Sequence, residues 1–307
     1  MKNLFITGIS GLLGANLAFL LKDEFNISGV DLRPFRMEKI SAQVGDILDK
    51  HYVNELLVRY KPDVIVHCAA AVNVDGCEAD PKMATSINTT ATQIMSELAA
   101  AVGAKFIYIS TDAVFDGTKC GLYNEVDDIN PINIYAKTKA DGESFVLENE
   151  HSLVLRTNIY GFNYSQQQSF GEWVLNALVK NETLTMFTDV LFSPILVNDL
   201  ADVIRVALDK GVCGLYHACA KGSISKYDFG CCLKAVFGIT SGSITPISVD
   251  EFEFKAKRAK NMGMDSSKFF SDTGYVFKTP SESIEEFYRL WKNRYPNKLK
   301  SSCCLDS

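Results

Sequence analysis

Apolar and polar positions along the first half of the chain change period repeatedly. The run KNLFIT (2–7) is strand-like. After three glycines, Leu13, Leu17, Leu20 and Leu21 recur at spacings of 4, 7 and 8, as on the buried face of a helix. Four further segments repeat the unit: NISGVD (26–31), PDVIVHCAA (62–70), AKFIYIS (104–110) and SLVLRT (152–157) read as strands, separated by stretches of helical length and pattern. Strands alternating with helices in this way predict an α/β fold, a doubly wound parallel sheet covered on both faces.

Past about residue 160 the alternation loosens. A polar stretch, NYSQQQS, precedes a helix-like run, FGEWVLNALVK, and short apolar pieces around LTMF and SPILV. A helix DLADVIRVALDK, a strand GLYHAC and a helix KYDFGCCLKAVFG follow, so this half should pack on the first rather than hang from it. The pattern predicts a sheet domain over 1–160, a smaller and less regular α/β region over 161–300 interleaved with it, and a tail over 301–307.

Composition narrows the function classes. With 307 residues, 47% hydrophobic and 22% charged, the chain can bury a real core and is neither disordered nor collagenous. A net charge of −6 gives no general electrostatic reason to approach nucleic acid or an anionic membrane. The nine cysteines form no C-x-x-C pair, and no His stands at metal-ligand spacing from them. They read as small core residues or thiols in a reducing cytosol, with no metal expected. The opening MKNLFITGISGLLGANLAFLL is broken by Gly8, Gly11 and Gly14 and has no small-residue cleavage site, and nowhere do eighteen apolar residues run together. The expectation is a cytoplasmic protein. Cys304 to Ser307 match a prenylation box only loosely, because Asp306 holds an aliphatic position, and they read as a frayed tail.

Two motifs carry chemistry. Thr7-Gly8-Ile9-Ser10-Gly11-Leu12-Leu13-Gly14 follows a strand and opens a helix, the setting in which backbone N–H groups approach a pyrophosphate. With the alternating units around it, the reading is a Rossmann-type nucleotide site rather than a mere tight turn. Asp31, ending the second strand 23 residues after Gly8, is placed to accept hydrogen bonds from an adenosine ribose. The second motif is Tyr135-Ala136-Lys137-Thr138-Lys139, in which Tyr and Lys four apart share a helix face. Chance supplies about one such pair in a chain with this many tyrosines and lysines, and Tyr288 with Lys292 is a second. Position separates them. Tyr135 follows the strand whose carboxyl end is Ser110-Thr111-Asp112, where ligands of such sheets bind, whereas Tyr288 lies in an amphipathic segment and reads as packing. Thr111 would hydrogen-bond a substrate carbonyl, Tyr135 would protonate it, and Lys139 would favour the phenolate while holding a nicotinamide ribose.

The glycine turn, STD and YAKTK in this order resemble the extended short-chain dehydrogenases/reductases. The segments 62–78, 110–117, 131–143, 214–225 and 258–269 are similar to the dTDP-4-dehydrorhamnose reductase branch, so the resemblance spans nearly the whole chain. It implies that Gly8, Gly11, Leu12, Leu13, Gly14, Asp31, Asp46, Ile47, Ala69, Ala70, Ala71 and Ser110, with Tyr135 and Lys139, line an NADPH or NADH site. It implies Thr111, Tyr135 and Lys139 as catalytic, and Asp112, Asn158, Arg258 and Asn261 as substrate-binding, although Arg258 reads equally well as a surface ion pair. The branch carries an aromatic after STD and a Trp after the fifth strand; this chain has Ala113 and Ile159 there. The reaction implied is reduction of a nucleotide-linked 4-keto-6-deoxy sugar, with a sugar nucleotide as partner and a homodimer left open. Alternatives are an epimerase or dehydratase of the same superfamily, or a non-catalytic NADP-binding subunit similar to that of methionine adenosyltransferase.

Overall fold

The structure, a computed structural model, describes residues 1–303; Cys304 to Ser307, read above as tail, lie outside the described residues. Seven strands form one sheet: β1 (Lys2–Thr7), β2 (Phe25–Asp31), β3 (Ile40–Val44), β4 (Val64–His67), β5 (Lys105–Thr111), β6 (Leu153–Thr157) and β7 (Gly214–His217). Their order is β3-β2-β1-β4-β5-β6-β7 and every pairing is parallel. This is the doubly wound order, and the direction of winding reverses between β1 and β4. The strands read from the sequence are β1, β2, β4, β5, β6 and, as GLYHAC, β7; β3 is the one that was not.

The strands are apolar on both faces because both are covered. On one face, Leu4 and Ile6 of β1, Val64 and Val66 of β4, Ile107 and Ile109 of β5, and Leu153 and Leu155 of β6 join a core that runs into the second half of the chain. On the other, Phe5, Ile65, Phe106, Tyr108 and Val154 pack with Val53, Leu57, Met95 and Leu98. The period of two along each strand divides the residues between the two cores. Helix α1 (Leu12–Leu21) lies on the first face; α2 (Lys50–Tyr60) and α5 (Ala91–Val102) lie on the second, the latter reached through short helices α3 (Val74–Ala79) and α4 (Pro81–Thr85) and a π-helical turn at Ser86–Thr90. Helix α6 (Ile134–Leu147) starts where Asn133 accepts the Ala136 N–H at 2.9 Å, which fixes the helix position of Tyr135 and Lys139.

The second half supplies α7 (Phe170–Val179), α8 (Val197–Lys210), α9 (Lys226–Val236), α10 (Ser267–Thr273), α11 (Pro280–Lys292) and α12 (Tyr295–Cys303). Helix α7 opens on a capping box of Ser169 and Glu172, and α11 on one of Thr279 and Glu282 with Pro280 in its first turn. The half also contributes β7 to the main sheet and three small sheets, so it is interleaved with the first half. Tyr295 ties the two together by donating to Asn16 Oδ1 at 2.6 Å, and α12 runs through the first three residues assigned to a tail. Among the described residues no helix is long and apolar enough to cross a membrane.

Candidate active site

A cleft of about 630 Å³ opens at the carboxyl ends of the strands, beside the β1/β4 reversal. One end is built by the glycine turn. Gly8 has φ +66°, and a Cβ there would stand 2.7 Å from the Ala69 nitrogen; a Cβ on Gly14 would stand 2.3 Å from the Gly8 carbonyl oxygen. The first glycine lets β1 turn against the end of β4, and the last lets α1 press onto that turn. Helix α1 begins at Gly11 with no side-chain cap and no acidic residue in its first turn, and Gly11, Leu12 and Leu13 line the cleft. Uncapped N–H groups and the positive end of the helix dipole therefore face the open volume.

Asp31 ends β2 as the spacing predicts, but its carboxylate is already engaged. Oδ2 accepts the Ser10 N–H at 3.0 Å and Oδ1 accepts the Arg33 N–H at 3.1 Å, with the Arg33 guanidinium 3.8 Å away. The Asp31 side chain is 11% exposed; Arg33, at 55%, lines the cleft. Gly8, Gly11, Leu12, Leu13, Gly14, Ala70, Ser110, Tyr135 and Lys139 of the predicted cofactor set line it too. Asp31, Asp46, Ile47, Ala69 and Ala71 are not among the residues that line it. Asp46 closes a turn by accepting the Leu48 N–H at 2.9 Å, Ile47 packs in the core, and Ala71 exchanges hydrogen bonds with Asn88.

Thr111, Tyr135 and Lys139 converge at the centre of the cleft. Burial, the largest effect, pushes the Tyr135 phenol up to about 12, while the nearby Thr111 side chain acts to lower it. Lys139 donates to the Ile109 carbonyl at 2.8 Å and lies 4.0 Å from the Tyr108 ring centroid. Burial pulls the ammonium down to about 7, against Glu143, which raises it. The charges of Asp112 and Cys77 raise the phenol further. Asp112, 2% exposed, accepts from Thr111 at 3.1 Å and from Asn158 at 2.6 Å; burial pushes it up to about 6.

Several groups escaped sequence reading. Asn88, in the π-helical turn, accepts the Ala71 N–H at 2.8 Å and donates to Ala71 O and Thr138 Oγ1, each at 3.1 Å, joining the cleft wall to α6. Its signal was an asparagine followed by two threonines inside a helical stretch, where local hydrogen bonding weakens the α-helix. Glu143 and Arg156 form a buried pair at 2.7 Å, and Ser110 donates to Glu143 at 2.5 Å, bracing the floor. Asn163, Gln167, Gln168 and Ser169 bring the polar stretch of the second half into the cleft wall. Lys226 lies over the Phe192 and Phe170 rings, 3.3 and 4.2 Å from their centroids, and pulls the Asp112 pKa down. Of the predicted substrate residues, Asp112, Asn158 and Arg258 line the cleft, as do Ala113 and Ile159. Arg258 is also paired with Asp75 at 2.9 Å, the ion pair that its other reading expects. Asn261 does not reach the cleft; its amide donates to the carbonyls of Lys119 and Gly121 at 2.8 and 2.7 Å.

Residues 1–292 match the family model described as the RmlD substrate binding domain. The chain belongs to that family. Methionine adenosyltransferase 2 subunit beta of Rattus norvegicus is 34% identical over 286 residues, covering 87% of this chain and 81% of that protein. The probable low-salt glycan biosynthesis reductase Agl14 of Haloferax volcanii is 32% identical over 276 residues, covering 88% and 92%. A crystal structure of dTDP-4-dehydrorhamnose reductase from Bacillus anthracis in complex with NADP superposes with a TM-score of 0.84 at 27% identity, covering 94% of this chain and 99% of that one. The resemblance read from STD, YAKTK and the glycine turn therefore holds, as does the Rossmann-type fold. RmlD-family relatives include both reductases and a subunit of another enzyme, so membership gives the sugar-nucleotide reductase class and leaves this chain's own reaction to its site.

Proposed function

We propose that the protein is an NAD(P)H-dependent reductase of a nucleotide-linked 4-keto-6-deoxy sugar, with the dTDP-linked 4-dehydrorhamnose as the first substrate to test. The observation that carries this reading is the convergence of Thr111, Tyr135 and Lys139 in one cleft that continues to the uncapped start of α1. The residues present fit a dinucleotide: Gly8 and Gly14 leave no room for a Cβ, and the N–H groups at Gly11 to Leu13 suit a pyrophosphate. When bound, the nicotinamide supplies the hydride. Thr111 orients the carbonyl oxygen, Tyr135 gives it a proton, and Lys139 is close enough to the cleft floor to hold a ribose hydroxyl. Arg258 and the polar wall of Asn163, Gln167 and Gln168 would meet the nucleotide portion. Ala113 and Ile159 leave space where the branch has rings, which favours a sugar of different shape over a different reaction.

A second reading, a non-catalytic partner subunit, is favoured by the 34% identity to the methionine adenosyltransferase subunit. The discriminating experiment is loss of NADPH and NADH absorbance with a panel of keto-sugar nucleotides and with the free keto sugars. Turnover confined to nucleotide sugars supports the reductase. Equal activity on free sugars removes the nucleotide from the reading, and tight cofactor binding with silence across the panel favours the partner subunit.

A further inference from the structure

The Thr111 hydroxyl stands between two groups that can carry a proton. The Tyr135 phenol lines the same cleft and lies near enough for Thr111 to lower its pKa, and Thr111 itself donates to Asp112 Oδ1 at 3.1 Å. Its oxygen also accepts the Ala113 N–H at 3.2 Å, so the hydroxyl is oriented rather than freely rotating. Asp112 Oδ2 accepts from Asn158 at 2.6 Å. A carboxyl group 2% exposed, satisfied by neutral donors and without an ion pair among the described residues, is costly to keep as an anion. Lys139 is turned away from this chain of groups, toward Ile109 O and the Tyr108 ring.

We propose that Asp112 returns to Tyr135, through the Thr111 hydroxyl, the proton that Tyr135 spends. The proposal rests on the reductase reading above. With the hydride that a bound NAD(P)H would supply to the carbonyl carbon, the Tyr135 O–H bond breaks and its proton forms the O–H of the product alcohol. The Thr111 O–H bond then breaks toward the phenolate oxygen while the Asp112 O–H bond breaks toward the Thr111 oxygen. Tyr135 and Thr111 are restored, and the Asp112 carboxylate takes its next proton from solvent. One proton is consumed per carbonyl reduced, with no further oxidant or reductant.

The charged and titratable groups facing Asp112 are Tyr135 of α6, Cys219 just after β7, and Lys226 of α9. A proton donor works only while protonated, so turnover limited by this return falls as pH rises through the Asp112 pKa. Lys226 favours the anion, and its removal must move that fall to higher pH.

Two measurements decide it. The first is ultraviolet difference titration of the Tyr135 phenol without substrate, taken as protein minus its Tyr135→Phe variant. Asp112→Asn removes the charge that raises the phenol, so Tyr135 should titrate lower by about half a unit or more. The second is the pH profile of kcat. Lys226→Met should move the fall upward, and Asp112→Asn should abolish it while lowering kcat about tenfold or more. If Asp112→Asn does not fold, Thr111→Val interrupts the same path and should likewise abolish the pH-dependent fall, while the phenol, losing the group that lowers it and keeping the Asp112 charge, should titrate higher. An unshifted phenol titration, or a wild-type kcat and profile in Asp112→Asn, overturns the proposal. A shifted phenol in a protein that reduces nothing on the panel instead sinks the reductase reading and leaves the coupling established.

Discussion

The two halves of the molecule build the same cleft by different means. The first half delivers Thr111 from a strand end and Tyr135 and Lys139 from a helix whose start is fixed by Asn133, so their positions are set by the hydrogen-bonded sheet and one cap. The second half delivers Asn163, Gln167, Gln168 and Arg258 from connections between elements, and Met262 from a two-residue strand. Strand ends in a parallel sheet hold their geometry through many sequence changes, and loops do not. On the proposed function, proton and hydride chemistry would sit on the rigid half and substrate choice on the adaptable half.

The largest break of that division should come from the rigid half. Tyr135→Phe deletes the proton donor and keeps the helix that carries it. Turnover should fall about 10²- to 10⁴-fold with cofactor affinity unchanged, whereas Tyr288→Phe, whose ring packs on Phe237, should change little. Steady-state kinetics and a cofactor titration on both variants check this; near wild-type turnover in Tyr135→Phe would remove the assignment of the acid.

Next in size is the brace beneath the floor. Glu143 and Arg156 are 3% and 4% exposed, and Glu143→Gln leaves a guanidinium buried without its partner. We expect a loss of about 3–5 kcal/mol in unfolding free energy. Denaturant melts measure it directly. A loss under about 1 kcal/mol would mean that the neighbouring Phe115 ring holds Arg156 without the carboxylate.

The cofactor end sharpens the comparison within the rigid half. The sequence alone suggested that Asp31 would face the ribose and that NADH would compete with NADPH. With both Asp31 oxygens taken by backbone N–H groups and Arg33 in the cleft wall, the basic residue is the exposed one. Arg33→Ala should therefore lower the preference for NADPH over NADH about tenfold, roughly 1.4 kcal/mol. Paired Kd measurements for the two coenzymes test it, and an unchanged ratio would return the choice to Asp31.

What could be read from the sequence follows the same division. Strands β1, β2, β4, β5 and β6 are buried on both faces, so hydrophobicity alone marks them. Strand β3, ISAQV, is an edge with no fully buried residue, and its pattern looks like a loop. The glycine turn and Tyr135 with Lys139 are local spacings. Asn88, Lys226 and the Glu143–Arg156 pair act across 13 to well over 100 residues of chain, and no local pattern encodes which partner each finds. Asn261 shows the converse error. Its place in a recognisable motif suggested a ligand, and its amide instead ties two loops together.

The smallest expected effect falls in the adaptable half. Arg258 lines the cleft while its guanidinium pairs with Asp75 at 2.9 Å and lies 4.6 Å from the Phe254 ring centroid. Both partners keep water contact, at 24% and 38% side-chain exposure, so the pair contributes about 0–1 kcal/mol to stability. Arg258→Ala should leave the melting curve nearly in place. If the guanidinium also meets the nucleotide portion, KM for a nucleotide sugar should rise a few-fold while kcat holds, because a contact remote from the reacting carbonyl is lost equally from ground and transition states. Asp75→Asn separates the two roles: it frees Arg258 from its ion pair and should lower KM or leave it unchanged. A rise in KM in both variants would mean that the pair itself shapes the wall, and that Arg258 does not touch the substrate.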